Sequence, residues 1–211
     1  AAITVPGAVD SWRLAHGRFG RLPLARLLAP AIHYAREGVR VSSGLATWIA
    51  ASVAALREDA GAAATFLPSG RALQERDRLV QPGLARSLSQ IADAGPRHFY
   101  DATGTSVARY LARCGGLLSK EDFAGYQARW VEPISVRYRD CTAFQLPPPS
   151  QGLAGSLILN FLAGVDLAAV GDASPQYFNA LVQAVKWAFR QRDTWLLSLI
   201  HISEPTRQAE I

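Results

Sequence analysis

The 211-residue sequence has no methionine, two cysteines and only two lysines, Lys120 and Lys186. The opening Ala1-Ala2-Ile3-Thr4 lacks the basic and apolar regions of a signal peptide, so with no methionine the N-terminus reads as truncated. That leaves the compartment open between bacterial cytoplasm and periplasm. No apolar run approaches the ~18 residues of a membrane helix, and no membrane partner is expected. Cys114 and Cys141 stand in no metal-ligand spacing with each other or with histidine. Both are expected to be free thiols, and neither a metal nor a cofactor is expected. The formal charge of +5 is carried almost wholly by arginine. Those arginines alternate with alanine and acidic residues and form no aromatic-interleaved basic block, so they read as solvated helix faces with no nucleic-acid partner.

What is present suits a globular chain. Hydrophobic residues make up 49% and charged residues 18% of a length that can bury a sizeable core. Val5-Pro6-Gly7 opens a first helix, with Pro6 in its first turn and Val9, Trp12 and Leu14 on a partly apolar face; Gly17 to Gly20 ends it. Leu24, Leu27, Leu28, Ala31, Ile32 and Ala35 recur at helical spacing, and Pro30 among them predicts a kink or two abutting segments. Ser42 or Ser43 caps a third helix with Leu45, Ile49, Val53 and Leu56 inward. The 61–70 stretch, closed by Pro68-Ser69-Gly70, reads as a loop. Gln81-Pro82-Gly83 starts a helix with Leu84, Leu88 and Ile91 inward. Gly95-Pro96 breaks it, and Phe99-Tyr100 anchors the turn before a helix carrying Val107, Tyr110 and Leu111.

Gly115 and Gly116 stop that helix, and Ser119 with Asp122 three residues later reads as a capping box for the next. Ile134, Val136 and Tyr138 alternate with Ser135 and Arg137 as a half-buried strand, partnered by residues 141–146. Pro147 to Pro149 stop the pairing and aim the chain stiffly at a new helix from Gln151. Residues 151–162 are apolar around most of their circumference, as in a deeply buried helix whose early glycines admit a close neighbour. Ser174-Pro175 caps a last helix with Phe178, Leu181, Val182, Val185 and Phe189, and with Lys186, Arg190 and Arg192 in its C-terminal half.

Several of these pieces resemble one family together. Gly115-Gly116-Leu117 with Lys120-Glu121-Asp122 and Tyr126, then Pro133-Ile134-Ser135 with Tyr138-Arg139, then Pro147-Pro148-Pro149-Ser150, resemble the large-subunit region of the γ-glutamyltranspeptidases. Lys186, Ala188, Phe189, Arg192 and Asp193 match the family's last helix here, while Gln183 replaces a glutamate. The resemblance runs from Val5-Pro6-Gly7 to Asp193. Beyond it Leu196 to Arg207 replaces the expected Gly-Asp-Pro turn. This tail resembles translated adapter sequence, so residues 1–195 are expected to be the large-subunit fragment and 196–211 a non-native tail.

The resemblance implies an N-terminal-nucleophile hydrolase with a four-layer αββα sandwich, made as a precursor that cuts itself before a threonine. That threonine attacks an amide carbonyl with its own α-amine as base. The expected fold is therefore α+β and predominantly helical, a partial large subunit whose partner is the missing small subunit of the same precursor. The substrate implied is a small-molecule amide or γ-glutamyl compound. Thr4, Thr47, Thr65, Thr103, Thr105, Thr142, Thr194 and Thr206 are all internal, and none begins the small-subunit pattern. The carboxylate-gripping arginine of the transpeptidases lies ahead of the matched region. No catalytic residue is carried over, and the fragment alone is expected to be inactive.

Ser150, Gln151 and Gly152 are the expected substrate-binding residues, because they join a stiff turn to a helix N-terminus that favours an anion; simple capping is the alternative. Transpeptidases usually have Ser-Ser-Gly-Gly where this chain has Ser150-Gln151-Gly152-Leu153. That form resembles the amidohydrolase branch, which includes oxamate amidohydrolase. His16, His33, His98 and His201 share no nucleophile, and Glu121 and Asp122 read as helix-dipole partners. The alternative reading of the whole chain is a non-catalytic helical scaffold or binding module derived from the large subunit.

Overall fold

A computed structural model describes residues 4–148 and 150–195 and divides the chain into two compact units, Ala1–Arg129 and Trp130–Ile211. Each is built mainly from helices. The tail beyond Trp195 lies outside the described residues, as does Pro149. None of the described helices is long and apolar enough to cross a membrane.

The first unit contains α1 (Ala8–Phe19), α2 (Leu24–Glu37), β1 (Val39–Arg40), α3 (Ser43–Ala51), α4 (Val53–Glu58), α5 (Ala60–Phe66), β2 (Arg78–Leu79), α6 (Pro82–Ala94), α7 (Gly104–Arg113) and α8 (Lys120–Gly125). One core gathers Val9, Ile91, Tyr100, Ala108 and Phe123, with Leu24 and Leu28 packed against it. A second gathers Val41, Ile49, Leu67, Leu73 and Leu79. The strands β1 and β2 pair antiparallel, Val39 opposite Leu79.

Local signals placed most of these elements, and tertiary packing moved the rest. Gly7 is the N-cap of α1, so Pro6 lies outside the helix, and Gly20, the last residue of the Gly17 to Gly20 stretch, is its C-cap. One continuous α2 runs through Pro30 instead of two segments. Its packing against α6 offsets the hydrogen bond that the proline cannot make. The third helix divides at Ser52 into α3 and α4, yet Leu45, Val53 and Leu56 still pack on the second core. The expected loop over 61–70 is instead α5 followed by a 3-10 turn at Pro68–Gly70. The Asp59 side chain accepts from the Ala62 amide at 2.7 Å and caps α5, and its alanines favour the helix. Leu84 and Tyr110 face outward, each 44% exposed; Ala85 takes the inward place expected of Leu84. Gly115 at φ 76° ends α7, and Ser119 with Asp122 forms the capping box of α8.

The second unit is a hairpin under two helices. Strands β3 (Ile134–Tyr138) and β4 (Cys141–Gln145) pair antiparallel from Ile134 opposite Gln145 to Tyr138 opposite Cys141. Helix α9 (Gly152–Ala163) packs on both strands and on α10 (Pro175–Trp195). Only Ala154, Ser156 and Leu162 of α9 are buried, so it is less enclosed than its composition implies. The Ser174 hydroxyl accepts from the Tyr177 amide at 3.0 Å, which sets the start of α10. Phe178, Val182, Val185 and Phe189 are exposed, while Ala184 and Ala188 are wholly buried. The wholly buried positions of α10 are thus alanines, beside an arc of larger apolar side chains that stays exposed.

Candidate functional site

The turn from β4 into α9 brings Ser150, Gln151 and Gly152 together. Ser150 Oγ donates to the Leu146 carbonyl at 2.7 Å and accepts from the Gly152 amide at 3.1 Å. The hydroxyl thus closes the turn across the prolines. A Cβ on Gly152 would lie 2.6 Å from the Leu146 carbonyl oxygen, so the approach admits only glycine. Gln151 caps α9 from an exposed position, and its Oε1 accepts from Arg192 Nη1 at 3.3 Å. Arg192 is ion-paired to Asp193 at 2.6 Å, and its guanidinium lies 4.3 Å from the Phe189 ring centroid. With Oε1 turned to the arginine, the Gln151 amide NH2 remains a donor. The arrangement can hold a carboxylate or polarise a carbonyl. It contains no base to activate Ser150.

The histidines do not assemble. His16 Nε2 lies 2.7 Å from the Leu22 carbonyl, His33 rests beside Tyr34, and His98 precedes the turn at Phe99–Thr103. His201 lies outside the described residues. Among the described residues, no group of three or more histidine, cysteine, aspartate or glutamate side chains could hold a metal. Cys114 and Cys141 are exposed free thiols. Asp122 accepts from the Ser119 amide at 2.7 Å, which occupies it as a cap.

The sequence reading missed a polar cluster in the first unit. Asp10, wholly buried in α1, accepts from Arg13 Nε at 2.6 Å, from Arg13 Nη2 at 3.3 Å and from the Ala128 amide at 2.6 Å. Arg13 foremost, with the Ala128 amide, holds the carboxyl below its ordinary range against the opposing effect of burial. Tyr100 donates to the Pro6 carbonyl at 2.8 Å and accepts from the Asp10 amide at 3.0 Å. Burial pushes its phenol up. Arg97 donates to the Tyr126 and Ala124 carbonyls, both at 2.8 Å, and lies over the Tyr100 ring. The only local signal was an aspartate in a first helical turn with arginine three residues on. At the surface, Tyr110 donates to Asp59, which pushes the phenol up to about 12, with Cys114 the next cause. These groups pin backbone and caps and do not converge on a common reacting atom.

Comparison with known proteins places the chain. The family model described as gamma-glutamyltranspeptidase matches residues 1–206. The chain belongs to the γ-glutamyltranspeptidase family. This γ-glutamyltranspeptidase-family chain is 40% identical over 193 residues to the acylase ACY 1 proenzyme of Pseudomonas sp. (strain V22), covering 90% of this chain and 35% of that relative. It is 33% identical over 214 residues to the oxamate amidohydrolase proenzyme of Klebsiella pneumoniae, covering 99% of this chain and 40% of the relative. The crystal structure of Helicobacter pylori gamma-glutamyltranspeptidase is similar with a TM-score of 0.81 and 27% identity, over 90% of this chain and 56% of that one. The chain spans little more than a third of the length of the curated relatives it matches.

Proposed function

We propose that residues 1–195 are the large-subunit portion of a self-processing amidohydrolase of this family, one slab of an αββα sandwich. The observation that carries the reading is family membership along nearly the whole chain, which nevertheless spans only 35% of the acylase proenzyme. In the complete precursor, self-cleavage would free a threonine on the small subunit. Its hydroxyl attacks the amide carbonyl, its α-amine takes the proton, and hydrogen-bond donors stabilise the tetrahedral oxyanion. The intermediate collapses as the C–N bond breaks and the α-amine returns the proton to the departing amine, and the acyl-enzyme then passes its acyl group to water, or to an acceptor amine in a transferase.

Ser150, Gln151 and Gly152 are assigned to the wall of the substrate pocket. Ser150 and Gly152 set the turn, and the Gln151 amide, braced by Arg192, meets the substrate's acceptor oxygens. Identity of 40% to an acylase and 33% to an oxamate amidohydrolase supports hydrolysis of a small-molecule amide over obligatory γ-glutamyl transfer.

The test is to read the source gene past the codon for Trp195, express the complete precursor and follow it by gel and N-terminal sequencing. The expected result is two fragments, the smaller beginning with threonine, and release of amine from a γ-glutamyl anilide, oxamate or an N-acyl amide. A genuine stop after the present tail would sink the proposal and leave a non-catalytic scaffold.

A further inference from the structure

The turn Arg139-Asp140 between β3 and β4 and the loop between α9 and α10 form a concavity of about 420 Å³, lined by Tyr138, Arg139, Leu167, Ala168, Asp172 and Tyr177. Its volume is in the range of small-molecule sites. All of these residues belong to the second unit. Strand β4 leads away from this turn for about 14 Å before the chain reaches Ser150, so the concavity is separate from the turn assigned to the substrate. Both loops around it hold a residue in a costly conformation. Arg139 and Ala173 each have φ of 55°, in the left-handed region that glycine takes freely. Arg137 Nε donates to the Arg139 carbonyl at 3.3 Å, and Ser174 Oγ donates to the Val170 carbonyl at 2.7 Å, so each loop is tied from its flank. Strain held in this way collects at ligand sites.

The concavity carries one charge of each sign, and they do not meet. The Arg139 guanidinium lies 5.2 Å from the Tyr138 ring centroid instead of on a carboxylate. Asp172 lines the same hollow, yet the two form no ion pair, and among the described residues neither has another. Leu167 and Ala168 add an apolar wall, and Asp166 Oδ1 fixes their turn by accepting from the Ala169 amide at 3.1 Å. We propose that this hollow binds a small zwitterion, an amino acid whose carboxylate lies on Arg139 and whose ammonium lies on Asp172, with its carbon chain against Leu167 and Ala168. A lone anion would be repelled by Asp172, and a lone cation by Arg139. Only a ligand with both charges gains at both ends, and the faces of Tyr138 and Tyr177 favour its ammonium further. The site does not depend on the hydrolase reading above, because every group in it is in the present chain.

Isothermal titration of the 211-residue chain tests the site, with glycine, β-alanine and 4-aminobutyrate as probes and propionate and propylamine as controls of one charge each. At least one zwitterion is expected to saturate a single site about tenfold or more tightly than either control, and the best of them measures the gap between Arg139 and Asp172. Arg139→Gly suits φ of 55° and should keep or raise the thermal midpoint while weakening that zwitterion by about tenfold or more. Asp172→Asn, at an exposed position, should weaken it likewise and leave or improve the binding of propionate. No saturation by any of the zwitterions at ~100 mM would overturn the site. Propionate binding as tightly as the best zwitterion would overturn it in favour of a simple anion site. Unchanged affinity in Arg139→Gly or in Asp172→Asn would place the ligand elsewhere and reject the assignment.

Discussion

Asp10 is a buried charge whose every contact has a structural consequence. Two of its partners are guanidinium nitrogens of Arg13, and the third is the Ala128 amide, 118 residues away. Replacing the carboxylate by a carboxamide leaves one acceptor where two oxygens served Arg13 and the part-buried Ala128 amide, turns an NH2 toward one of these donors and removes the counter-charge of Arg13. Breaking one side of such a pair is costly, but the Arg13 side chain is 40% exposed and partly screened. Asp10→Asn is therefore expected to destabilise the fold by about 2–3 kcal/mol, read from urea midpoints at neutral pH. A change below about 0.5 kcal/mol would mean that the cluster follows the fold instead of holding it. Tyr100→Phe removes the hydroxyl that ties the Pro6 carbonyl to the Asp10 amide. In the double variant the two losses should fall short of additive, because both act on the segment entering α1.

Helices α7 and α8 meet where a side chain has been omitted. Gly104 begins α7, and a Cβ there would lie 2.7 Å from Phe123 Cβ and 2.8 Å from its Cγ and Cδ1. Phe123 is wholly buried and cannot swing away. Alanine usually improves a helix by up to ~1 kcal/mol over glycine. At Gly104 the sign should reverse, with a loss of about 1–3 kcal/mol from overpacking. Gly44→Ala, which meets nothing within 4 Å, is the control and should be neutral or stabilising in the same thermal melts. A stabilised Gly104→Ala would reject the close packing. The capping box of α8, the Ser174 cap of α10 and the β3–β4 alternation were all legible in the sequence because each is a contact within a few residues. The pairing of β1 with β2, the burial of Asp10 and the outward turn of Tyr110 were not, because each depends on residues about 40 or more positions away. Helix α10 shows the limit most directly: periodicity found its large apolar residues, but not that Ala184 and Ala188 are the ones wholly buried. Ser150 and Gly152 were legible as a turn, whereas the Arg192 brace on Gln151 was hidden by 41 residues of separation.

The charge balance of the whole molecule sets how it responds to pH. Asp10, Asp59, Asp77 and Asp122 are all held below the ordinary carboxylate value near 3.8. The leading causes are Arg13 for Asp10, Tyr110 for Asp59, the Gln74 amide for Asp77 and the Ser119 amide for Asp122. Below about pH 5 the unfolded chain then binds more protons than the folded one. The stability these groups contribute is present above the unfolded value and is lost as pH falls through their lower folded values. Protonation also leaves 22 lysines and arginines without their 17 carboxylate counterparts, which adds self-repulsion. Tyr110 works at the other end. Its folded value of about 12 exceeds the ordinary 10.0, so its contribution is complete below 10 and is lost as pH rises toward 12. Thermal midpoints should stay level between about pH 5 and 9 and fall on both sides. Asp59, Asp77 and Asp122 are solvated, so screening leaves Asp10 as the main source of the acid limb. Asp10→Asn should lower the plateau and flatten that limb, whereas Tyr110→Phe should flatten the alkaline limb and, because it removes the leading partner of the solvated Asp59, change the acid limb only slightly. An acid limb of unchanged steepness in Asp10→Asn would shift its origin from this buried carboxylate to general charge repulsion, and added salt would then restore the midpoint.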